Sequence, residues 1–280
     1  MARGPVRPAL FAARGWYPRD PAVLGAFMDE ACEPAGSAPA AAIAVVSPHA
    51  GYRFSGAVAG AAFARVTVPD TVVVVGIGHR PAARPNVVGT RGAWASPGGE
   101  LPIDEALADD ILAASPHLEE DGGELAVEHS QEMQIPFLQH RNPGARIVPV
   151  QVRELTRAGC LAVGEAIAGV IATRPAGSVL LLASTHLHHQ EKRPGIAPEV
   201  LVPALDARCI ERLEALDPEG LHDTVRAEGI GMCGVLPTTV VLAAARRLGA
   251  EGVQVVRHAT SYDISGEDGY VVGYVSAIVR

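Results

Sequence analysis

Three apolar runs in this chain end in histidine. Ala41-Ala42-Ile43-Ala44-Val45-Val46 leads into Ser47-Pro48-His49-Ala50-Gly51-Tyr52. Thr71-Val72-Val73-Val74-Val75-Gly76-Ile77 leads into Gly78-His79. Ser178-Val179-Leu180-Leu181-Leu182-Ala183 leads into Ser184-Thr185-His186-Leu187-His188-His189. Runs of this kind read as buried strands. A residue just past the end of such a strand lies where open α/β sheets form their ligand crevice. Pro48 stiffens the approach to His49, and Gly51 lets the backbone turn away at once. Three strand ends that each present imidazole point to one shared site, and a shared imidazole site points to a metal.

The pattern between these runs is mostly helical. Asp20-Pro21 reads as the cap and first residue of a helix running to about Cys32, with a loop over residues 33–37. Helices are also predicted over residues 55–65, from Asp104 (Leu107, Ile111 and Leu112 inward), from Glu128, and over residues 156–173, 200–216, 218–227 and 236–248. Further strands are predicted over residues 86–90, 146–152, 253–259 and 270–279. Residues 94–99 read as a Pro/Gly turn, and residues 192–198 as a polar loop. No repeat and no long linker divides the chain. The alternation predicts one α/β domain over residues 1–280, with a central mixed sheet and helices on both faces.

Composition narrows the function. Of 280 residues, 48% are hydrophobic but only 4% aromatic, so the core is built of aliphatic side chains. The formal net charge of −8 argues against a nucleic-acid or anionic-membrane partner. Cys32, Cys160, Cys209 and Cys233 are irregularly spaced, with no paired-cysteine motif, as expected of reduced thiols in a cytoplasmic protein. No apolar stretch is long enough for a membrane span, and the N-terminus carries no leader-like apolar region.

His49 and His79, at equivalent strand ends, are candidate metal ligands or, failing that, ordinary satisfied histidines. Cys233 lies in the glycine-rich turn Gly229-Ile230-Gly231-Met232-Cys233-Gly234 at a helix start, where the dipole favours thiolate, a ligand for iron, copper or zinc. The alternative is a small residue filling a tight turn. In His186, His188 and His189 the first two share one face of an extended segment and the third takes the other. One of them could ligate and another act as acid or base. His129 and Glu132, three apart on a helix, form a candidate relay, with helix capping as the plainer reading. His117, His140, His222 and His258 read as surface or structural.

These motifs resemble the Memo-like family, also described as AmmeMemoRadiSam system protein B. The resemblance is carried in order by Gly15-Trp16-Tyr17-Pro18, Pro48-His49-Ala50-Gly51-Tyr52, Gly78-His79, Glu128-His129-Ser130-Gln131-Glu132-Met133-Gln134-Ile135-Pro136-Phe137, Cys233-Gly234, Thr260-Ser261-Tyr262-Asp263, Gly266 and Val272-Gly273-Tyr274. It implies a fold like that of the class III extradiol dioxygenases and a metal held by His49, His79 and Cys233. The family's serine-serine-aspartate-leucine-serine-histidine stretch corresponds to residues 184–189. His189 keeps the histidine, whereas His186 stands in place of the aspartate and His188 in place of a serine. The site thereby loses a negative charge and gains a nitrogen, which could join the metal or act as a base.

The function expected from the resemblance is a metal-dependent redox enzyme of the extradiol-dioxygenase type, acting with O2 on a small catecholic or phenolic substrate. Iron would be its metal, with copper or zinc as alternatives. His189, His186 and His129 are its candidate catalytic residues. The competing expectations are a non-catalytic metal- or peptide-binding protein and a zinc hydrolase.

Overall fold

The computed structural model describes residues 4–33 and 38–280. The first three residues, and most of the predicted loop over 33–37, lie outside the described residues. In chain order the strands are β1 (Val6–Arg7), β2 (Ala44–Ser47), β3 (Thr71–Ile77), β4 (Val87–Val88), β5 (Ala93–Ser96), β6 (Gly99–Pro102), β7 (Glu119–Glu120), β8 (Arg146–Val152), β9 (Val179–Ser184), β10 (His189–Glu191), β11 (Val253–Thr260) and β12 (Tyr270–Val279). The helices are α1 (Leu10–Ala13), α2 (Pro21–Ala31), α3 (Tyr52–Phe63), α4 (Glu105–Ala114), α5 (His129–Glu132), α6 (Ile135–Arg141), α7 (Arg157–Ile171), α8 (Pro198–Glu214), α9 (Pro218–Ala227), α10 (Val235–Arg247) and α11 (Ser261–Ser265).

The central sheet runs β10-β12-β2-β9-β3-β8-β4-β7, with β11 also paired to β12. Its middle, β2-β9-β3-β8, is parallel. The C-terminal strands β11 and β12 are antiparallel, and β12 joins β2 antiparallel. The sheet is therefore mixed, as expected, and helices cover both faces. β2, β3 and almost all of β9 are buried residue by residue, as their uninterrupted apolar sequences require. One apolar cluster extends from Phe11 to Val279.

Local signals explain most helix starts. Asp20 accepts the amides of Ala22 and Val23, Asp104 that of Leu107, and Thr156 that of Gly159. Two segments differ from the sequence reading. Residues 94–99 are not an irregular turn: Pro97-Gly98 joins β5 to β6, and these strands form a small sheet with β1. The short α11 escapes the sequence reading although a capping box opens it, Thr260 and Asp263 each bonding the other's backbone amide. Among the described residues no helix is long and apolar enough to cross a membrane.

Candidate functional site

The site sits at the carboxyl ends of the three adjacent strands β2, β9 and β3. Ser47 is in register with Ser184, and Val75 with Ala183. His49 and His186 therefore stand two residues past paired positions, on neighbouring strands. Their ring centroids are 4.0 Å apart, and the backbone N–H of His49 donates to Nε2 of His186 at 3.1 Å. The His79 ring lies 5.3 Å from His49. Cys233 arrives from the turn before α10. A Cβ added at Gly234 would stand 2.6 Å from Cα of Thr185, so this turn packs on the end of β9 as only glycine permits.

His49, His79 and Cys233, brought forward as a candidate trio from distant parts of the chain, each offer a ligand atom, and these atoms lie within 4.8 Å of one another. Sγ of Cys233 is 3.5 Å from Nε2 of His49 and accepts the backbone N–H of His186 at 3.4 Å. Burial pushes the thiol's pKa up, but the neighbouring imidazoles of His49, His186 and His189 outweigh it and hold it well below the ordinary range.

Buried partners fix the proton on each ligand-bearing ring. The hydroxyl of Ser184 donates to the carbonyl of Ser130 at 2.6 Å and accepts from Nε2 of Gln134 at 2.9 Å. Its other lone pair faces Nδ1 of His49 at 3.0 Å, so that nitrogen carries the hydrogen and Nε2 is left bare. Glu128 engages Nδ1 of His79 in the same way. Its carboxylate accepts Nδ1–H at 2.8 Å and the backbone N–H at 2.7 Å, and it also caps α5 through the amides of His129 and Ser130. Burial opposes the charge on Glu128, but its contacts with His79 and His129 hold its pKa down at about 2. His79 is opposed by burial in turn, yet Cys233 and Glu128 raise its pKa to about 9. Such outer partners orient metal-binding histidines and set their basicity.

The other candidates gather around this centre. His129 stacks on His79 with centroids 4.1 Å apart and meets Trp16 at 4.9 Å. Burial and the surrounding imidazoles push its pKa down to about 2, so it is neutral. His186, buried, is likewise held down at about 3. Its Nε2 is engaged by the His49 amide, and its own backbone N–H donates to Cys233. His189 joins His186 and Cys233 in a second group of ligand atoms within 4.8 Å, and its Nδ1 lies 3.2 Å from the hydroxyl of Tyr270.

The proposed pairing of His129 with Glu132 does not form. Glu132 turns the other way and accepts the amides of Leu10 and Phe11 and the hydroxyl of Tyr17. It caps α1, because α5 is a single turn and its end faces the N-terminal segment. His188 leaves the centre as well: its Nδ1 accepts the amide of Gly231, while its own amide binds the buried Asp206. Asp206 also holds His258, which is structural as expected. Cys32, Cys160 and Cys209 are buried, and burial raises their thiols to about 12. Sequence reasoning missed Ser184, Glu128 and Gln134. Only Glu128 carried a signal, an acidic residue directly before a helix start.

A model described as Memo-like protein matches residues 7–278. A MEMO1 family protein of Thermotoga maritima is 36% identical over 240 residues, covering 85% of this chain and 82% of that protein. One from Caldivirga maquilingensis is 36% identical over 237 residues, covering 84% and 82%. A third, from Methanothermobacter thermautotrophicus, is 33% identical over 280 residues, covering 96% and 98%. The crystal structure of an uncharacterized protein of Escherichia coli K12 shares the fold, with a TM-score of 0.51 at 16% identity over 77% of this chain and 88% of that one. From the N-terminal segment to the last strand, this chain belongs to the Memo-like protein family.

Proposed function

We propose that this protein is a metal-dependent oxidoreductase of the extradiol-dioxygenase type, with iron held by Nε2 of His49, Nε2 of His79 and Sγ of Cys233. One observation carries the reading: two hydrogen bonds, Ser184 to His49 and Glu128 to His79, engage Nδ1 of both rings and so leave Nε2 as the nitrogen each can offer a cation, beside a sulfur that favours thiolate. The donor set fits a cation, because each ligand must present a lone pair and not a proton. Two imidazoles and a thiolate suit iron or copper as well as zinc. When bound, ferrous iron would supply the redox chemistry and the free coordination positions that oxygen activation needs.

The protein's own groups take the remaining tasks. Glu128 and Ser184 keep the two ligand rings in one tautomer. His186 spends its Nε2 on the amide of His49, which supports a three-residue shell in preference to a four-residue one. Neutral His129, beside Trp16, presents a polar atom to an incoming phenol. His189 is the proton carrier, since its Nδ1 meets the hydroxyl of Tyr270, a residue 55% exposed and so in exchange with water. Glu132 offers no base for a zinc hydrolase, since its carboxylate is engaged by α1 and Tyr17.

The test is to purify the protein anaerobically, identify its metal and follow oxygen uptake with a panel of catechols. Iron with uptake matched by catechol loss is the expected result. A tightly held metal with no uptake would instead favour a binding role, and zinc with a water-derived product a hydrolase.

A further inference from the structure

Beside the candidate centre opens a cavity of about 360 Å³. It is lined by Trp16, Gly51, Arg53, Phe54, His129 and His186, with Gly15 and Ala50. Trp16 is held in place twice: Gly15, at φ +77°, ends α1 and aims the next residue, and the carbonyl of Trp16 accepts the amide of Tyr52 at 2.8 Å. The guanidinium of Arg53 lies 4.6 Å over the ring of Phe54, and no carboxylate among the described residues pairs with it. The lining contains no acidic residue at all, on a chain with 31 of them.

These features select a ligand. Trp16 and Phe54 offer flat apolar faces, which favour an aromatic ring. An exposed arginine without an acidic partner, in an acid-free pocket of an acidic protein, favours an anion, and its planar fork matches a carboxylate. Arg53 is the one permanently charged side chain in the lining. We infer that the cavity binds an aromatic carboxylate, its ring held between Trp16 and Phe54 and its carboxylate on Arg53, with the ring's far edge directed at His129 and the His49 side of the centre. This rests on the oxidoreductase reading for the fate of the ligand, but the binding itself stands on the cavity alone.

The test reads binding without turnover. Chelator-treated protein is titrated anaerobically with 3,4-dihydroxybenzoate and, separately, with the uncharged 4-methylcatechol, following the fluorescence of Trp16, one of two tryptophans, the other being the fully buried Trp94. The acid should quench saturably at about tenfold lower concentration than the neutral compound, the size expected of a charge-assisted contact. Arg53→Gln should erase that preference and Arg53→Lys restore part of it. Equal affinities, a preference that survives Arg53→Gln, or no saturable quenching by either compound would overturn the inference. Absence of oxygen uptake with preserved acid-selective binding would count against the oxidoreductase reading alone.

Discussion

The backbone N–H of His49 donates to Nε2 of His186 across two neighbouring strand ends, at 3.1 Å. One candidate ligand is thus tied at its main chain to the residue that, by the resemblance, stands where the family is expected to carry an aspartate. An aspartate oxygen would stand where Nδ1 of the ring stands, short of Nε2, so this bond belongs to the longer imidazole. His186 is thereby a strut for His49 as much as a candidate reactive group.

The strut predicts an order of stabilities. His186→Ala strands a buried amide and should cost on the order of 1–3 kcal/mol. His186→Gln, whose side-chain oxygen reaches about as far as Nε2, supplies an acceptor at that point and should cost less. Denaturant unfolding of the chelator-treated protein would give the order. An alanine variant as stable as the wild type would show that the bond contributes nothing.

Ser184 should matter to the metal more than to the fold. Ser184→Ala removes the acceptor that keeps the hydrogen on Nδ1 of His49, and the ring is then free to present N–H to the centre. Metal affinity should fall about 10- to 100-fold, the usual cost of losing such an outer partner. Competition with a chromophoric chelator measures this, and the unfolding midpoint of the metal-free protein serves as control.

Metal binding should release a proton from His79. In the metal-free protein Cys233 and Glu128 hold that ring's pKa at about 9, above its ordinary 6.5, so at neutral pH a cation must displace the proton from Nε2. The sign follows: affinity should rise as pH rises, by about tenfold per unit for one displaced proton, and level off near pH 9. Cys233, already held towards thiolate, should add no second proton. The metal-free protein should show the opposite trend in this contribution. Stability from the raised His79 pKa is fully present below about 6.5 and is lost as pH climbs through about 9. Glu128→Gln removes one of the two groups sustaining the shift and should flatten the affinity profile. A profile flat between pH 6 and 8 in the wild type would contradict the assignment.

The strands that carry the site were legible because β2, β3 and all but the first residue of β9 are buried and so are written as unbroken apolar runs. That His49, His79 and His186 belong together could be guessed from their equivalent places at strand ends. Their actual neighbours could not, because the spatial order β2-β9-β3 is set by crossovers with no local signature. The misjudged partner of His129 has the same origin: helical spacing pairs it with Glu132, but α5 stops after one turn and the carboxylate meets α1 instead. Ser184 gave no signal of its own. Its role depends on Gln134 and the carbonyl of Ser130, both about fifty residues away in sequence. The Pro97-Gly98 turn was visible, whereas the strands on either side of it are four residues each and too short to declare a period.

The sulfur's position depends on a glycine that carries no chemistry. At Gly234 an added Cβ would stand 2.6 Å from Cα of Thr185, a backbone atom at the end of β9 that cannot swing aside. Gly234→Ala must therefore push the turn away from the strand and carry Cys233 with it. Overpacking of this kind costs about 1–3 kcal/mol, which a chain of this size can survive. Gly231 offers the comparison: there the nearest atoms are 3.3 Å away, at Nδ1 of His188 and the carbonyl of His189, so Gly231→Ala needs only a small adjustment. Cobalt(II) titration reads the difference through the thiolate-to-metal absorption band. Gly231→Ala should keep that band and Gly234→Ala should lose it, while helical circular dichroism stays intact in both. Full cobalt–thiolate absorption in Gly234→Ala would mean that the contact with Thr185 does not set where the sulfur stands.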